Sequence, residues 1–415
     1  MNDATTEIYD QLTGAEEDVP AREGRNGTRH MLSLSMTKVA DGLIDPKLVL
    51  SWLGGALGVP AAVTGLFVPI REAGALLPQI LMAGRVQAMA HRKWAWVLGT
   101  LGQGSMAALI CLVALTMEGL AAGLAIAAAL VVFSVSRALC SVSYKDILGK
   151  TVAKTRRGAV TGVAGSASAL AVLGFAALLM SGMVRETGPV IVAIGVASVL
   201  WLVAGALFSR LEEQASEDRE APAIDLAPLR EDAQFRRFIA TRGALTVTAL
   251  APPYFVLLGA GQSALQGLGA LLLASSAASF VSSYVWGRLA DRSSRAVLML
   301  SGLCAALFMA LAVAADLAGW AERAWVVPVT LFGLMVAYHG VRQGRSTYLV
   351  DMAPEEARSR YAALANTAIG TLLLVVGALG GGLALLGPQV ALAGFAALSL
   401  AGAALAYGLH EVESA

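Results

Sequence analysis

Twelve apolar runs, each more than twenty residues long, set the terms on which this chain folds. They cover roughly 33–57, 60–83, 94–116, 119–143, 158–183 and 187–208, then 238–260, 264–287, 296–317, 324–349, 361–386 and 388–408. A helix needs about 20 apolar residues to cross a bilayer. Lipid offers backbone N–H and C=O groups no partner, so a crossing segment must be a helix or a strand of a closed barrel. No ten-residue alternation of apolar and polar positions is present, which removes the barrel. With 57% hydrophobic and 14% charged residues in 415, the chain is also too apolar to cover itself with polar surface. The sequence therefore predicts an all-α membrane protein with twelve transmembrane helices.

The runs fall six and six around a polar stretch, 209–237, which holds eight acids, five arginines and two prolines. The two groups repeat each other. Gly84-Arg85 matches Gly287-Arg288 at a spacing of 203, and Arg137 and Asp146 match Arg342 and Asp351 at 205. Landmarks that agree within two residues argue for duplicated halves: pseudo-symmetric six-helix bundles over 31–208 and 238–409, joined by the linker 209–237. Residues 1–30 carry seven acids and no apolar core, so they read as a disordered tail rather than a secretory signal. Residues 410–415 form a second short tail.

Basic residues fix the expected orientation. Eighteen Lys and Arg lie in the loops after even-numbered runs and two, Arg185 and Arg323, in those after odd ones. By the positive-inside bias both termini and the linker are cytoplasmic, in a protein of a bacterial inner membrane. Trp52, Trp320 and Trp325 then fall near the outer interface, and Trp94, Trp96 and Trp286 near the inner one.

The most specific motif is Gly287-Arg-Leu-Ala-Asp291-Arg292-Ser-Ser-Arg295, between runs 8 and 9. It resembles the loop motif of the major facilitator superfamily, with Ser294 where a second glycine is usual. The first-half copy, Gly84-Arg85-Val-Gln-Ala88-Met-Ala-His91-Arg92-Lys93, keeps the bases but has Ala88 in place of the acid. Lys154-Thr-Arg156-Arg157-Gly158 and Pro354-Glu-Glu-Ala-Arg358-Ser-Arg360 are similar to the superfamily's other basic turns. The resemblance, over 31–409, implies two bundles that rock around a central cavity, with a glycine allowing close helix contact and Asp291, Arg292 and Arg295 serving as a cytoplasmic latch.

Seven bases (Lys38, Lys47, Arg71, Arg137, Arg242, Arg342 and Arg345) and three acids (Asp41, Asp45 and Glu72) lie inside apolar runs, setting aside Asp316 at the very end of run 9. Each costs at least ~2.5 kcal/mol near a helix centre unless it is paired or faces water. In run 1, steps of three and four put Lys38, Asp41 and Asp45 on one face, with Trp52 further along it, while Lys47 points elsewhere unless Pro46 bends the helix. That face should line a cavity. Asp41 lies roughly 12 Å and Arg137 roughly 10 Å from the inner ends of their helices, at a rise of about 1.5 Å per residue, so the two are placed to meet. This is similar to the acid and arginine of proton-coupled sugar symporters in the superfamily, which implies a coupling role for Asp41 with Arg137, and Asp45 and Glu72 as further candidates. A static ion-pair cluster that fixes helix packing is the competing reading, and an Arg71–Glu72 bridge to run 1 needs no transport role. In run 10, His339, Arg342 and Arg345 follow helical spacing with no acid in that run to balance them, so the cavity is expected to receive an anionic group through Arg342, with Lys38, Arg71, His339 and Trp52 as further substrate contacts. Arg242 and Arg345, near helix ends, read as snorkelling to the interface.

The predicted function is secondary active transport of a small organic anion with proton coupling, by a monomer. Efflux of lipophilic cations is the alternative within transport, and a non-transporting sensor or assembly factor the alternative outside it. Nothing in the sequence points to an enzyme, cofactor, metal or nucleic-acid partner, and Cys111, Cys140 and Cys304 read as packing residues. The topology is open to a direct test. In a background lacking the native cysteines, a cysteine at Ser216 should react with an impermeant maleimide only after the cells are opened, and strong labelling of intact cells would reverse the orientation.

Overall fold

The computed structural model describes Tyr9 and residues 20–183, 187–215, 226–259, 264–290, 292–354 and 357–412. Among these, every regular element is helical. Span 1 is Ala21–Leu43 continued by Val49–Ala56, and span 2 is Ala61–Thr64, Phe67–Leu76 and Gln79–Gln87. Spans 3 to 6 are Lys93–Thr116, Gly119–Thr151, Arg157–Met180 and Gly188–Ser209. Span 7 is divided into Ala233–Ala244, Val247–Leu250 and Pro252–Leu258. Spans 8 to 12 are Ala264–Ala290, Ser294–Leu317, Val326–Met352, Arg358–Ala384 and Pro388–Tyr407. Nine of these spans are, among the described residues, long and apolar enough to cross a membrane. The other three fall short for physical reasons. Spans 1 and 7 combine a break with a charged first segment, Ala21–Leu43 and Ala233–Ala244, and span 10 carries His339, Arg342, Gln343 and Arg345 within one stretch.

The break in span 1 is built by the sequence Asp45-Pro46-Lys47. Pro46 has no N–H to continue the helix. The Asp45 side chain accepts from Lys47 N at 3.0 Å, its carbonyl accepts from Val49 N and Leu50 N at 2.9 and 3.1 Å, and Ser51 Oγ donates to Pro46 O at 2.7 Å. The groups that the break exposes are thus satisfied locally, as a buried break requires. Span 7 breaks at the corresponding place, with Pro252 lying 206 residues after Pro46.

Two boundaries differ from the sequence reading. Span 1 starts at Ala21, so residues 21–30 belong to a helix and not to a disordered tail. Hydropathy missed them because their partners are distant in sequence: His30 Nε2 bonds Thr151 Oγ1 at 2.8 Å, Glu23 pairs with Arg156 at 3.1 Å, and Arg25 and Arg29 pair with Glu212 at 3.1 and 3.3 Å. Hydrogen bonding from Arg25, with Arg29 beside it, holds the Glu212 carboxyl below the ordinary glutamate range. At the other boundary, span 7 begins at Ala233, where Asp232 caps it by accepting from Phe235 N at 2.9 Å, so the final residues of the 209–237 stretch are helical too.

The halves pack by one plan. In the first, span 3 lies against spans 4 and 6, span 2 against span 4, and span 1 against spans 5 and 6; in the second, span 9 lies against spans 10 and 12, span 8 against span 10, and span 7 against spans 11 and 12. The bundles meet through spans 5 and 8 and through spans 2 and 11. Small residues let the backbones approach there. A Cβ on Gly377 of span 11 would stand 2.2 Å from Pro69 Cγ of span 2, and one on Gly269 of span 8 would stand 2.8 Å from Ala176 O of span 5. Both contacts lie toward the end of the molecule remote from the termini. Gly377→Ala should therefore cost about 1–3 kcal/mol by overpacking, whereas Gly382→Ala, whose Cβ meets nothing within 4 Å, should stay within about 0.5 kcal/mol. Thermal melts of the purified protein compare the two, and equal losses would refute the contact.

Candidate functional site

The break in span 1 brings three of its charges against neighbouring helices. Asp41 is the hub. Its Oδ1 accepts from Arg71 Nη2 of span 2 at 3.1 Å, and its Oδ2 is held by Arg137 Nη1 of span 4. One carboxylate therefore ties three helices of the first bundle together. The Arg71 guanidinium also lies over the Phe133 ring, 5.3 Å from its centroid. Arg137 is the more accessible of the two guanidiniums, at 36% side-chain exposure against 12% for Arg71.

Lys47, which an unbroken helix would have aimed away from this face, turns back instead. Its Nζ pairs with Glu72 at 3.0 Å, donates to Tyr338 OH at 3.5 Å and lies 4.9 Å from the centre of that ring. Since Tyr338 is in span 10, this contact crosses between the bundles. Arg71 and Glu72, adjacent in sequence, thus both bridge to span 1. Lys38, Asp41 and Asp45 line a cavity of about 330 Å³ together with Ser168 of span 5 and Ser275 and Ser276 of span 8. Within it Lys38 Nζ donates to Thr161 O at 3.0 Å. Asp45 faces the same cavity while it caps the break, with no guanidinium as partner among the described residues.

The second bundle contributes a larger cavity, of about 520 Å³, lined by Arg242, Ser282, His339, Arg342, Arg345 and Asn366 among others, with no acid among its described lining residues. Arg242 does not snorkel. It is buried, donates from Nη2 to Asn366 Oδ1 at 3.1 Å and leaves its Nε without a protein partner. Arg345 is half-buried in the same wall. The expectation of snorkelling fails for Arg242, because the end of the helix carrying it is buried inside the bundle; Arg345 opens onto the cavity.

Other sequence candidates are dispersed. Trp52 sits beyond the break and lines a separate cavity of about 130 Å³ with Val256, Leu257 and Pro328. Gly287 lines the terminal side of the larger cavity, but a Cβ there would meet nothing within 4 Å, so close helix contact does not account for this glycine. Asp291 lies outside the described residues. Arg292 is exposed, and Arg295 bonds Glu411 at 2.8 Å. In the first half, Gly84 and Arg85 end span 2, where Arg85 is exposed, while Arg92 pairs with Asp146 at 2.7 Å. Sequence reasoning missed Glu213, which accepts from Arg92 N and Lys93 N at 3.1 and 2.8 Å, and Glu411. A signal for both existed: each stands four residues after the end of the last span of its bundle, Ser209 or Tyr407.

No family model and no curated sequence matches the chain. Solved structures do. The nucleoside transporter NupG superposes with a TM-score of 0.70 at 12% identity, over 92% of this chain and 98% of that one. A POT family transporter in complex with 5-aminolevulinic acid gives 0.68 at 12%, over 92% and 95%. The D-xylose-proton symporter gives 0.66 at 10%, over 94% and 98%. All three are transporters of the major facilitator superfamily fold, and this multi-pass integral membrane protein has that fold.

The Lys47–Glu72 pair makes its own prediction, because removing one partner of a buried pair strands the other charge. With Lys47 buried and Glu72 partly exposed, Lys47→Met should cost about 1–3 kcal/mol, and adding Glu72→Gln should recover part of that loss. A double-mutant cycle on thermal stability measures the coupling; strictly additive losses would show that the pair contributes nothing.

Proposed function

We propose that the protein is a proton-coupled secondary transporter of a small organic anion that works by alternating access. The observation that carries this reading is Asp41, a single carboxylate bridging Arg71 and Arg137 beside an acid-free basic cavity in the opposite bundle. In this reading Asp41 is the proton carrier, Arg137 its partner, and Asp45 and Glu72 are secondary. A proton on Asp41 cancels the charge that holds spans 2 and 4 to span 1, so protonation loosens the first bundle where it faces the cavity. The second bundle supplies the anion site, with Arg342 as its main contact. His339 lines the same cavity, while Lys38 and Arg71 belong to the facing bundle and join the site as the bundles close, Arg71 being engaged by Asp41 in the unprotonated state. Contacts between the bundles at Gly377 and Gly269 close the end remote from the termini, so with cytoplasmic termini this is an inward-facing form. The D-xylose-proton symporter, similar in fold, gives a precedent for proton coupling on this scaffold. The basic lining disfavours a cationic substrate on electrostatic grounds.

The test is uptake into proteoliposomes under an imposed pH gradient with a panel of organic anions and cations. Asp41→Asn should abolish gradient-driven accumulation, while substrate exchange, which needs no net proton movement, survives. Accumulation at the wild-type level, with comparable protein in the membrane, would remove Asp41 from the coupling role.

A further inference from the structure

Of the seven basic side chains within the apolar runs, four have no carboxylate in ion-pair contact among the described residues: Lys38, Arg242, Arg342 and Arg345. The other three, Lys47, Arg71 and Arg137, are taken by Glu72 and Asp41. The four are also close together. Arg342 lies near enough to Lys38, across the boundary between bundles, for their charges to repel, and Arg345 lies near enough to Arg242 for the same; Asp41 near Lys38 and Glu72 near Arg345 offset part of this, but both carboxylates are already in ion-pair contact with other bases. Arg342 and Arg345 are three residues apart on one helix, which sets their Cβ atoms about 5–6 Å from each other. When the bundles close and water leaves, such repulsion grows as the local dielectric falls.

Two further observations point at a ligand. Arg242 Nε and Ser282 Oγ are buried in the cavity wall and lack a protein partner, although buried polar groups are as a rule satisfied. Arg242 is meanwhile steadied by Asn366. Arg242 and Ser282 both line a space of about 520 Å³, large enough for a small solute, and a small side-chain rotation would bring the two unpartnered atoms to it. Guanidinium forks suit the oxygens of carboxylate and phosphate groups.

We infer that the transported solute is a small organic dianion, a phosphate monoester or a dicarboxylate, whose two negative charges are held by Arg342 and Arg345 with Arg242 behind them. Ser282 and Asn366 complete the binding set. This rests on the transport reading above and extends it from an anion to a doubly charged one. Lys38, on the opposite bundle, reaches the same anion as the cavity closes, so the solute itself links the two halves.

The test uses pairs of ligands matched in shape and differing by one charge, on the purified full-length protein in detergent at neutral pH. Methyl phosphate is compared with methyl sulfate, and succinate with its monoamide, succinamate, by thermal shift over a concentration series. The dianion of at least one pair should stabilise at a concentration about tenfold lower than its monoanionic twin, the loss expected for one charge-assisted contact. Preference within the first pair assigns phosphate esters, and within the second, dicarboxylates. Arg345→Gln, verified as folded by its own ligand-free melt, should abolish the preference, and Arg345→Lys should retain part of it. Twins that act equally, or four ligands without effect, overturn the dianion; equal stabilisation by all four leaves the anion reading standing. Stabilisation by tetraphenylphosphonium in place of the anions overturns both. A preference that survives Arg345→Gln removes Arg345 from the site.

Discussion

A charge placed in hydrocarbon costs several kcal/mol unless a partner or water receives it, and the interior of this protein is arranged around that cost. Seven bases and three acids lie within its apolar runs, with Asp316 at the very end of one run set aside. Asp41 takes two guanidiniums, Glu72 takes Lys47, and Asp45 is spent on the break in span 1. The bases left over collect on cavity walls, where water or a ligand can reach them. Four further carboxylates would make this set of charges neutral. The imbalance is thus both what the fold must shelter and what the site offers.

The break in span 1 makes this arrangement possible. A straight helix would aim Lys47 away from the face that carries Asp41. With Pro46 interrupting the ladder, Lys47 reaches Glu72 and Tyr338, and the first bundle touches the second through a cation and an aromatic ring. The corresponding break in span 7 places Tyr254 beside Gly65 and Gly380, so both broken helices lie where the bundles come together. The two halves also share a device at the terminal end, where Glu213 and Glu411 each return from beyond a bundle's last span to bind the loop before its third. The glycine contacts at Gly377 and Gly269, by contrast, join the bundles by close packing.

The sequence by itself determined the helical class, the six-plus-six division and the shared depth of Asp41 and Arg137, because hydrocarbon thickness and the helical rise are fixed lengths that a linear sequence can be measured against. It also singled out span 1 as a polar face. Tertiary structure alone decided which charge meets which. Arg71 joined Asp41, Lys47 turned inward, Arg242 proved buried against Asn366, and Trp52 was carried past the break into another cavity. Residues 21–30 were read as a tail because their composition is polar; their partners, Thr151, Arg156 and Glu212, lie more than a hundred residues away. Periodicity reports which face of a helix is polar, but the pairing of one face with another depends on helix rotation and on breaks, and these are set by packing among segments far apart in the chain.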